Sequence, residues 1–322
     1  MRAILCTMLL LSCPFQAVAG EIWVTNEKDN TISVIDSDSL EVTRTIGTGL
    51  RPRGIVFSKD YKAVYVCASD SNAVEVIDPD SGKILADLPS GEDPEQFALH
   101  PDNRHLYIAN ENDAVTTVVD VVDRMVIRQI NVGVEPEGMA VSPDGKLAIT
   151  TSETTSMAHW IDVASGKIIA NTLVDARPRH AAFSPDGRQL WVSSEIGGTI
   201  SVCDTSNQTL IAKIGFEIQG VHGDRIQPVG FAFAPDGKTV YAALGPSNHV
   251  AIIDPARLEV ETYVLTGKRV WHLAFSDDGS KVFTTNGVSG DVTVIDTVSR
   301  EAVKSIKVGR YPWGAAMRPG KT

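Results

Sequence analysis

A chain of 322 residues, 43% hydrophobic and with mean hydropathy near zero, carries enough apolar side chains for a substantial core and is not the composition of a disordered chain. A formal charge of −11 and a pI near 5.1 argue against nucleic acid, whose phosphates demand a basic surface. Phosphate loops, dinucleotide fingerprints, nucleophile elbows and His-Glu-x-x-His zinc motifs do not occur.

The N-terminus has the make-up of an export signal. Arg2 gives a positive start, Ala3 to Leu11 an apolar stretch, and Ala17-Val18-Ala19 a small-residue cleavage site. Processing near Gly20 is expected; it removes Arg2 and takes the net charge from −11 to −12. The apolar run is too short to span a bilayer, and no later stretch approaches the ~20 apolar residues that a membrane helix needs. A periplasmic or secreted protein with no membrane span follows. A second reading takes Leu10-Leu11-Ser12-Cys13 as a lipobox with Cys13 lipidated, although Pro14 directly after the cysteine fits it poorly.

From Gly20 onward the chain repeats. Asp36, Asp78, Asp120, Asp162, Asp204, Asp254 and Asp296 each close an apolar pair such as Val34-Ile35, at successive gaps of 42, 42, 42, 42, 50 and 42 residues. Thirteen residues before them stand Trp23, Tyr65, Tyr107, Ile149, Trp191, Tyr241 and Phe283, each heading a β-prone run. Sixteen residues after the first four and the last come Pro52, Pro94, Pro136, Pro178 and Pro312; Pro228 follows Asp204 by twenty-four, which locates an eight-residue insertion, and Val270 replaces the proline after Asp254. Each unit reads as four short strands. Ser-Pro-Asp-Gly at 142–145 and 184–187 supplies a tight turn, and the repeated Asp can close an Asx-turn. Seven units of four strands with no helical periodicity predict an all-β, seven-bladed β-propeller spanning residues 20–322 as one domain. The chain starts at a second strand, Ile22 to Asn26, and ends on an unpartnered first strand, Trp313 to Arg318; the two are expected to close the ring in one blade.

After processing only Cys67 and Cys203 remain, in different columns three blades apart, so two buried free thiols are expected. Without Cys-x-x-Cys-His, no covalent haem is expected.

Trp23-Val24-Thr25-Asn26, Tyr107-Ile108-Ala109-Asn110 and the recurring Val-Ile-Asp resemble the YVTN-repeat β-propeller family over essentially the whole processed chain. The segments 51–57 (RPRGIVF), 93–99 (DPEQFAL) and 135–141 (EPEGMAV) are similar to propellers associated with pyrroloquinoline quinone (PQQ) dependent catabolism. That resemblance implies a pathway association, with a PQQ-dependent dehydrogenase or another periplasmic protein as partner, but no mechanism. The quinoprotein dehydrogenases themselves resemble eight-bladed propellers with an adjacent Cys pair, which is absent here, so PQQ is a candidate ligand and not an expected redox cofactor.

In a propeller the first strand of each blade lines the channel, so residues flanking the prolines ring one mouth. They are Arg51 and Arg53; Asp93 and Glu95; Glu135 and Glu137; Arg177, Arg179 and His180; Arg225 and Gln227; Lys268, Arg269, Trp271 and His272; Arg310, Tyr311 and Trp313. Cations outnumber acids in this set, which makes the mouth a candidate site for a small anion clamped by Arg51, Arg53, Arg177, Arg179, Arg269 and Arg310, with Trp271 or Trp313 stacking on a planar ligand. The competing reading is a rim of salt bridges. His180 and His272 replace the glycine found in the same column at Gly54, Gly138, Gly230 and Gly314; hydrogen bonding is the expected role and no metal site is assigned. The insertion, residues 219–227, carries His222, Asp224 and Arg225 as a candidate lid or a tolerated surface loop. Three functions remain open: a periplasmic accessory binding protein, a lactonase-like hydrolase and an interaction scaffold. No catalytic residue is assigned.

Overall fold

The computed structural model describes residues 19–320; the proposed leader and Cys13 lie outside the described residues. Within them 28 strands form seven separate four-stranded sheets. Six sheets use four consecutive strands. The seventh joins Pro312–Arg318 to Glu21–Asn26, which pairs in turn with Thr31–Asp36 and Val42–Gly47. Register runs Glu21 to Arg318 and Trp23 to Ala316, so the C-terminal strand is the inner strand of blade 1, as the repeat predicts.

The repeated residues do the local work expected of them. Asp36 Oδ1 accepts the backbone N–H groups of Asp38 at 3.0 Å and Ser39 at 2.7 Å, closing the Asx-turn. Ser142 Oγ donates to Asp144 Oδ1 at 2.8 Å, while Gly145 takes φ +73°, which suits glycine. Fourth strands are largely exposed apart from one buried residue near the end; second and third strands are almost wholly buried.

The core lies between blades. Trp23, Ile32 and Val34 of blade 1 pack against Phe57, Val64 and Val66 of blade 2, with the Trp23 and Phe57 rings edge-on at 5.4 Å. Ile22 and Val24 meet Phe283, Val292 and Val294 of blade 7, which seals the ring by the same kind of contact. Cys67 and Cys203 are buried free thiols.

One irregularity recurs in every regular inner strand and positions the site. In blade 2 Pro52 pairs with Ala68 but Ile55 with Val66, so Arg53 and Gly54 oppose a single residue. The same shift occurs between Pro94 and Phe97, Pro136 and Met139, Pro178 and His180, and Val270 and Leu273. Such bulges re-aim side chains, here the two residues that follow the proline.

Candidate functional site at the channel mouth

In six blades the residue before the inner strand adopts a left-handed backbone: Arg51, Asp93, Glu135, Arg177 and Tyr311, each followed by proline, and Arg269, followed by Val270, with φ from 52° to 59°. This conformation is uncommon for any L side chain and disfavoured again by a following proline. It is held by hydrogen bonds. The carbonyls of these six residues accept the N–H groups of Ser69, Glu111, Glu153, Glu195, Gly287 and Glu27, each the residue after its blade's second strand. The side-chain columns before the proline and after the second strand are thereby fixed next to each other.

That second column changes the charge balance expected from the proline flanks alone. Glu27, Glu111, Glu153 and Glu195 join Asp93, Glu95, Glu135 and Glu137, so eight carboxylates face Arg51, Arg53, Arg177, Arg179 and Arg269. The mouth is not electropositive. Arg51 pairs with Asp70 at 2.5 Å, with Glu95 at 3.1 Å and with Asp93; Arg53 pairs with Glu95 and, at 3.7 Å, with Glu27. Arg179 meets Glu137 at 3.0 Å, Glu195 at 3.2 Å and Glu153. Arg177 reaches Glu153 at 2.8 Å and Glu195 at 3.3 Å; Arg269 binds Glu195 at 2.5 Å and Gln227 Oε1 at 2.9 Å. Every mouth arginine expected to clamp an anion already holds a carboxylate, and the salt-bridge reading describes the ground state. Unlike a solvated rim, this lattice is buried: Glu95, Glu137, Glu153, Glu195 and Arg179 are at most 7% exposed.

Burial sets the acidities. It holds the Glu95 carboxyl well above the usual range, against the pull of Arg53 and with the push of Glu137. Burial likewise raises Glu111, and it pushes Glu153 up to about 7 although Arg179 and Arg177 oppose it. At Glu195 burial acts in the same direction, but Arg179 and Arg269 outweigh it and the carboxyl is lowered. Carboxyls pushed in opposite directions within one cluster are a frequent property of sites that bind or move protons.

Both mouth tryptophans are in contact with arginines. Arg269 and Arg179 lie over the Trp271 ring at 4.1 and 5.6 Å, and Arg53 lies over Trp313 at 5.4 Å. Trp313 is only 2% exposed, and its ring lies 4.2 Å from that of His272. Cation–π contacts to the protein's own arginines thus engage both rings.

Below this lattice the next column narrows the channel. It runs Gly54, Gln96, Gly138, His180, Gly230, His272 and Gly314, so Gln96 is a third bulky polar member that comparison of the histidines alone leaves out. Gln96 Oε1 meets His180 Nδ1 at 2.9 Å across two blades, Gln96 Nε2 donates to the Arg179 carbonyl at 2.8 Å, and the His180 and His272 rings lie 5.5 Å apart. The glycines make this possible: a Cβ on Gly230 would stand 2.4 Å from His272 Nδ1. Burial lowers His180 to about 4, partly offset by a hydrogen bond to the Phe231 backbone; burial, with His180 and Arg179 nearby, takes His272 well below its usual value.

Arg310 stands apart from this cluster, exposed and paired with Asp29 at 2.5 Å. In the insertion His222 and Asp224 pair at 2.7 Å on the exposed surface, and Arg225 donates to the Pro246 carbonyl at 3.2 Å. Ile218 and Ile226 pin the loop into the core between blades 5 and 6, and Gln227 links it to Arg269. Among the described residues two groups bring three potential metal ligands within 4.8 Å: Asp93, Glu95 and Glu111 at the mouth, and His100, Asp102 and His105 at the far end of blade 3. At the mouth Arg51 and Arg53 already supply the positive charge.

Two family models match separate parts of the chain: a YNCE-like β-propeller over residues 3–115 and a lactonase, 7-bladed β-propeller, over residues 168–298. The sequence matches no curated protein. Among solved structures, hydrazine synthase of Kuenenia stuttgartiensis is similar at 20% identity and a TM-score of 0.78, covering 92% of this chain and 99% of that one. A functionally unknown protein from Desulfotomaculum acetoxidans aligns at 18% identity and 0.81, covering 93% and 99%. A candidate 6-phosphogluconolactonase from Bacteroides uniformis aligns at 17% identity and 0.79, covering 94% and 100%. At these identities the likeness is one of fold.

Proposed function

We propose that this is an exported propeller that binds a small polar molecule at the channel mouth, as an accessory to an oxidation system of the PQQ-linked kind that its inner-strand segments resemble. One observation carries the reading. Arg53 Nε, Glu137 Oε1 and Trp313 Nε1 are buried at the mouth with neither a hydrogen bond nor an ion-pair contact, while Arg51 Nε, Glu95 Oε1, Glu137 Oε2 and Glu195 Oε2 have ion-pair contacts that fall outside hydrogen-bond geometry. Buried polar atoms normally find partners, so their concentration at one mouth marks where a ligand's polar groups would be received. The mouth arginines are engaged, so an anion enters by exchange, displacing a carboxylate. Glu153, pushed up to about 7, and Glu95 and Glu111, also raised, are placed to take up the proton that the exchange releases room for. Anion binding is therefore expected to strengthen on acidification.

Titration calorimetry with PQQ and with a simple dicarboxylate at pH 5.5 and 7.5 tests this. Binding should be tighter at the lower pH, and Arg177→Ala should weaken it roughly ten- to a hundred-fold through loss of one charged hydrogen bond. No heat at millimolar ligand at either pH, or equal affinity in the variant, defeats the proposal.

Glu153 also favours a second reading, hydrolysis of a lactone. A carboxyl near 7 held by Arg177 at 2.8 Å has the acidity of a general acid or base, with a guanidinium beside it for developing negative charge. The partial likeness to the lactonase model points the same way. Turnover of a lactone panel that is lost in Glu153→Gln supports it; an inert wild-type protein removes it.

A further inference from the structure

Two of the chain's seven histidines, His100 and His105, stand in one turn. It joins the inner strand of blade 3, Pro94–Leu99, to the second strand, His105–Asn110, at the opposite end of the blade from the mouth. In four sister turns the first position is a serine whose hydroxyl donates to the Asp two residues on: Ser58 to Asp60 and Ser142 to Asp144 at 2.8 Å, Ser184 to Asp186 at 2.6 Å, Ser276 to Asp278 at 2.7 Å; blade 6 has Ala234. Blade 3 replaces that serine with His100. At the head of the second strand, where sister blades carry Ala63, Leu147, Gln189 or Lys281, it places His105.

The two rings converge on one oxygen. Asp102 Oδ2 lies 3.0 Å from His100 Nδ1 and 2.6 Å from His105 Nδ1, while Asp102 Oδ1 is occupied by the backbone N–H groups of Arg104 at 2.8 Å and His105 at 3.1 Å. His100 Nε2 lies 2.9 Å from the Gly145 carbonyl. A carbonyl only accepts, so Nε2 carries a proton, and in the neutral ring the Nδ1 lone pair accepts the Asp102 backbone N–H at 3.2 Å beside the Asp102 carboxylate. The repulsion between that lone pair and Asp102 Oδ2 at 3.0 Å is relieved either by a proton on Nδ1 or by a metal ion held between the two atoms. The neighbouring cation does not serve: Arg104 is held by Asp120 and Asp123, each at 2.6 Å. A backbone carbonyl that fixes the distal nitrogen is the outer-shell arrangement that orients metal-binding histidines. Gly145 makes room for it, since a Cβ there would stand 2.6 Å from His100 Nε2.

We propose that His100, Asp102 and His105 bind a divalent transition-metal cation of the zinc type through two imidazole Nδ1 atoms and one carboxylate oxygen. Zinc–ligand distances of about 2.0–2.2 Å put neighbouring donor atoms near 3 Å apart, close to the 3.0 and 2.6 Å that separate Asp102 Oδ2 from the two Nδ1 atoms, and all three donors lie within 4.8 Å of one another. Two imidazoles with one carboxylate select zinc or copper over calcium and magnesium. The three side chains are 15%, 37% and 32% exposed, so the ion is reachable from solvent and keeps coordination positions for water or a group from another molecule.

Equilibrium dialysis of the processed protein against Zn²⁺, read by elemental analysis, tests the site without reference to the mouth. One zinc per chain is expected, with no uptake of Ca²⁺ at the same concentration. His105→Ala should weaken zinc binding at least ten-fold. Asp102→Asn should do the same while keeping the turn, because the amide oxygen still accepts the Arg104 and His105 N–H groups; matching circular-dichroism melts establish that both variants fold. His222→Ala, on the exposed insertion, should bind as wild type. No zinc at about 100 µM, unchanged binding in His105→Ala and Asp102→Asn, or loss in His222→Ala instead overturns the proposal.

Discussion

Replacing Arg179 with methionine keeps most of the side-chain volume and removes the charge at the centre of the mouth lattice. Arg179 is 7% exposed and faces Glu137, Glu153 and Glu195. Two of these retain a cation: Glu153 keeps Arg177, and Glu195 keeps Arg177 and Arg269. Glu137, 1% exposed, pairs directly with Arg179 and would be left with the more distant Arg53 as its compensating charge. Breaking a buried pair in this way costs about 3–5 kcal/mol. For a chain of this length the unfolding entropy is about 0.6 kcal/mol/K, so the melting temperature should fall by about 5–8 °C at pH 7. The loss should shrink on acidification, because an unpaired buried carboxylate is relieved by taking up a proton. Adding Glu137→Gln to the variant should recover part of the loss. Arg188→Met is the control: Arg188 is 86% exposed and only 3.7 Å from Asp186, so its change should stay within about 0.5 kcal/mol. Calorimetric melts of the four proteins decide it. A Tm within 2 °C of wild type for Arg179→Met, or no recovery in the double variant, refutes the view that the lattice is one coupled unit.

Three other outcomes follow from the same geometry. Glu153 at about 7 in the folded chain, against ~4.3 unfolded, contributes stability that is full below the unfolded value and lost as pH rises through 7; His180 at about 4, against ~6.5, contributes stability that is full above 6.5 and lost as pH falls toward 4. Because the two oppose each other, Glu153→Gln should gain stability from pH 5 to 7 more steeply than wild type, by up to ~1.4 kcal/mol per pH unit in urea titrations, and parallel curves would sink the assignment. Deleting Trp313 to Thr322 strips blade 1 of its inner strand and buried Trp313 and should lower the melting temperature sharply; an unchanged, equally cooperative melt would contradict the closure. Gly230→Ala drives a Cβ to 2.4 Å from His272 Nδ1 and 2.7 Å from the Trp271 carbonyl, with an expected cost of about 1–3 kcal/mol, and wild-type stability in urea would mean that the waist is looser than described.

The fold is legible in the sequence because its punctuation is local chemistry. The Asp that ends each third strand closes an Asx-turn within three residues, and the proline marks where the inner strand begins, so both recur whatever surrounds them. The charge of the mouth is not legible in that way, since it sums columns that meet only in space. Glu111, Glu153 and Glu195 do carry a signal, lying 42 residues apart directly after the second-strand motif, but their position near Arg53 and Arg177 depends on hydrogen bonds to left-handed residues that no motif announces. Gln96 is hidden for a different reason: as an isolated glutamine in an otherwise family-like segment it draws no notice until His180 is seen bonded to it.

Seven is odd, and a ring of odd number cannot alternate large and small without one fault. At the waist the sequence around the ring is Gly54, Gln96, Gly138, His180, Gly230, His272, Gly314, and the fault is the glycine pair Gly314 and Gly54. It falls on the seam made by the returning C-terminal strand, where a Cβ on Gly314 would stand 2.5 Å from the Arg53 carbonyl and one on Gly54 2.8 Å from the Glu95 carbonyl. The seam is therefore lined by backbone and the opposite arc by an amide and two imidazoles. This parity defect makes the two arcs of the channel chemically unlike, so seven near-identical repeats enclose a passage that has no rotational symmetry.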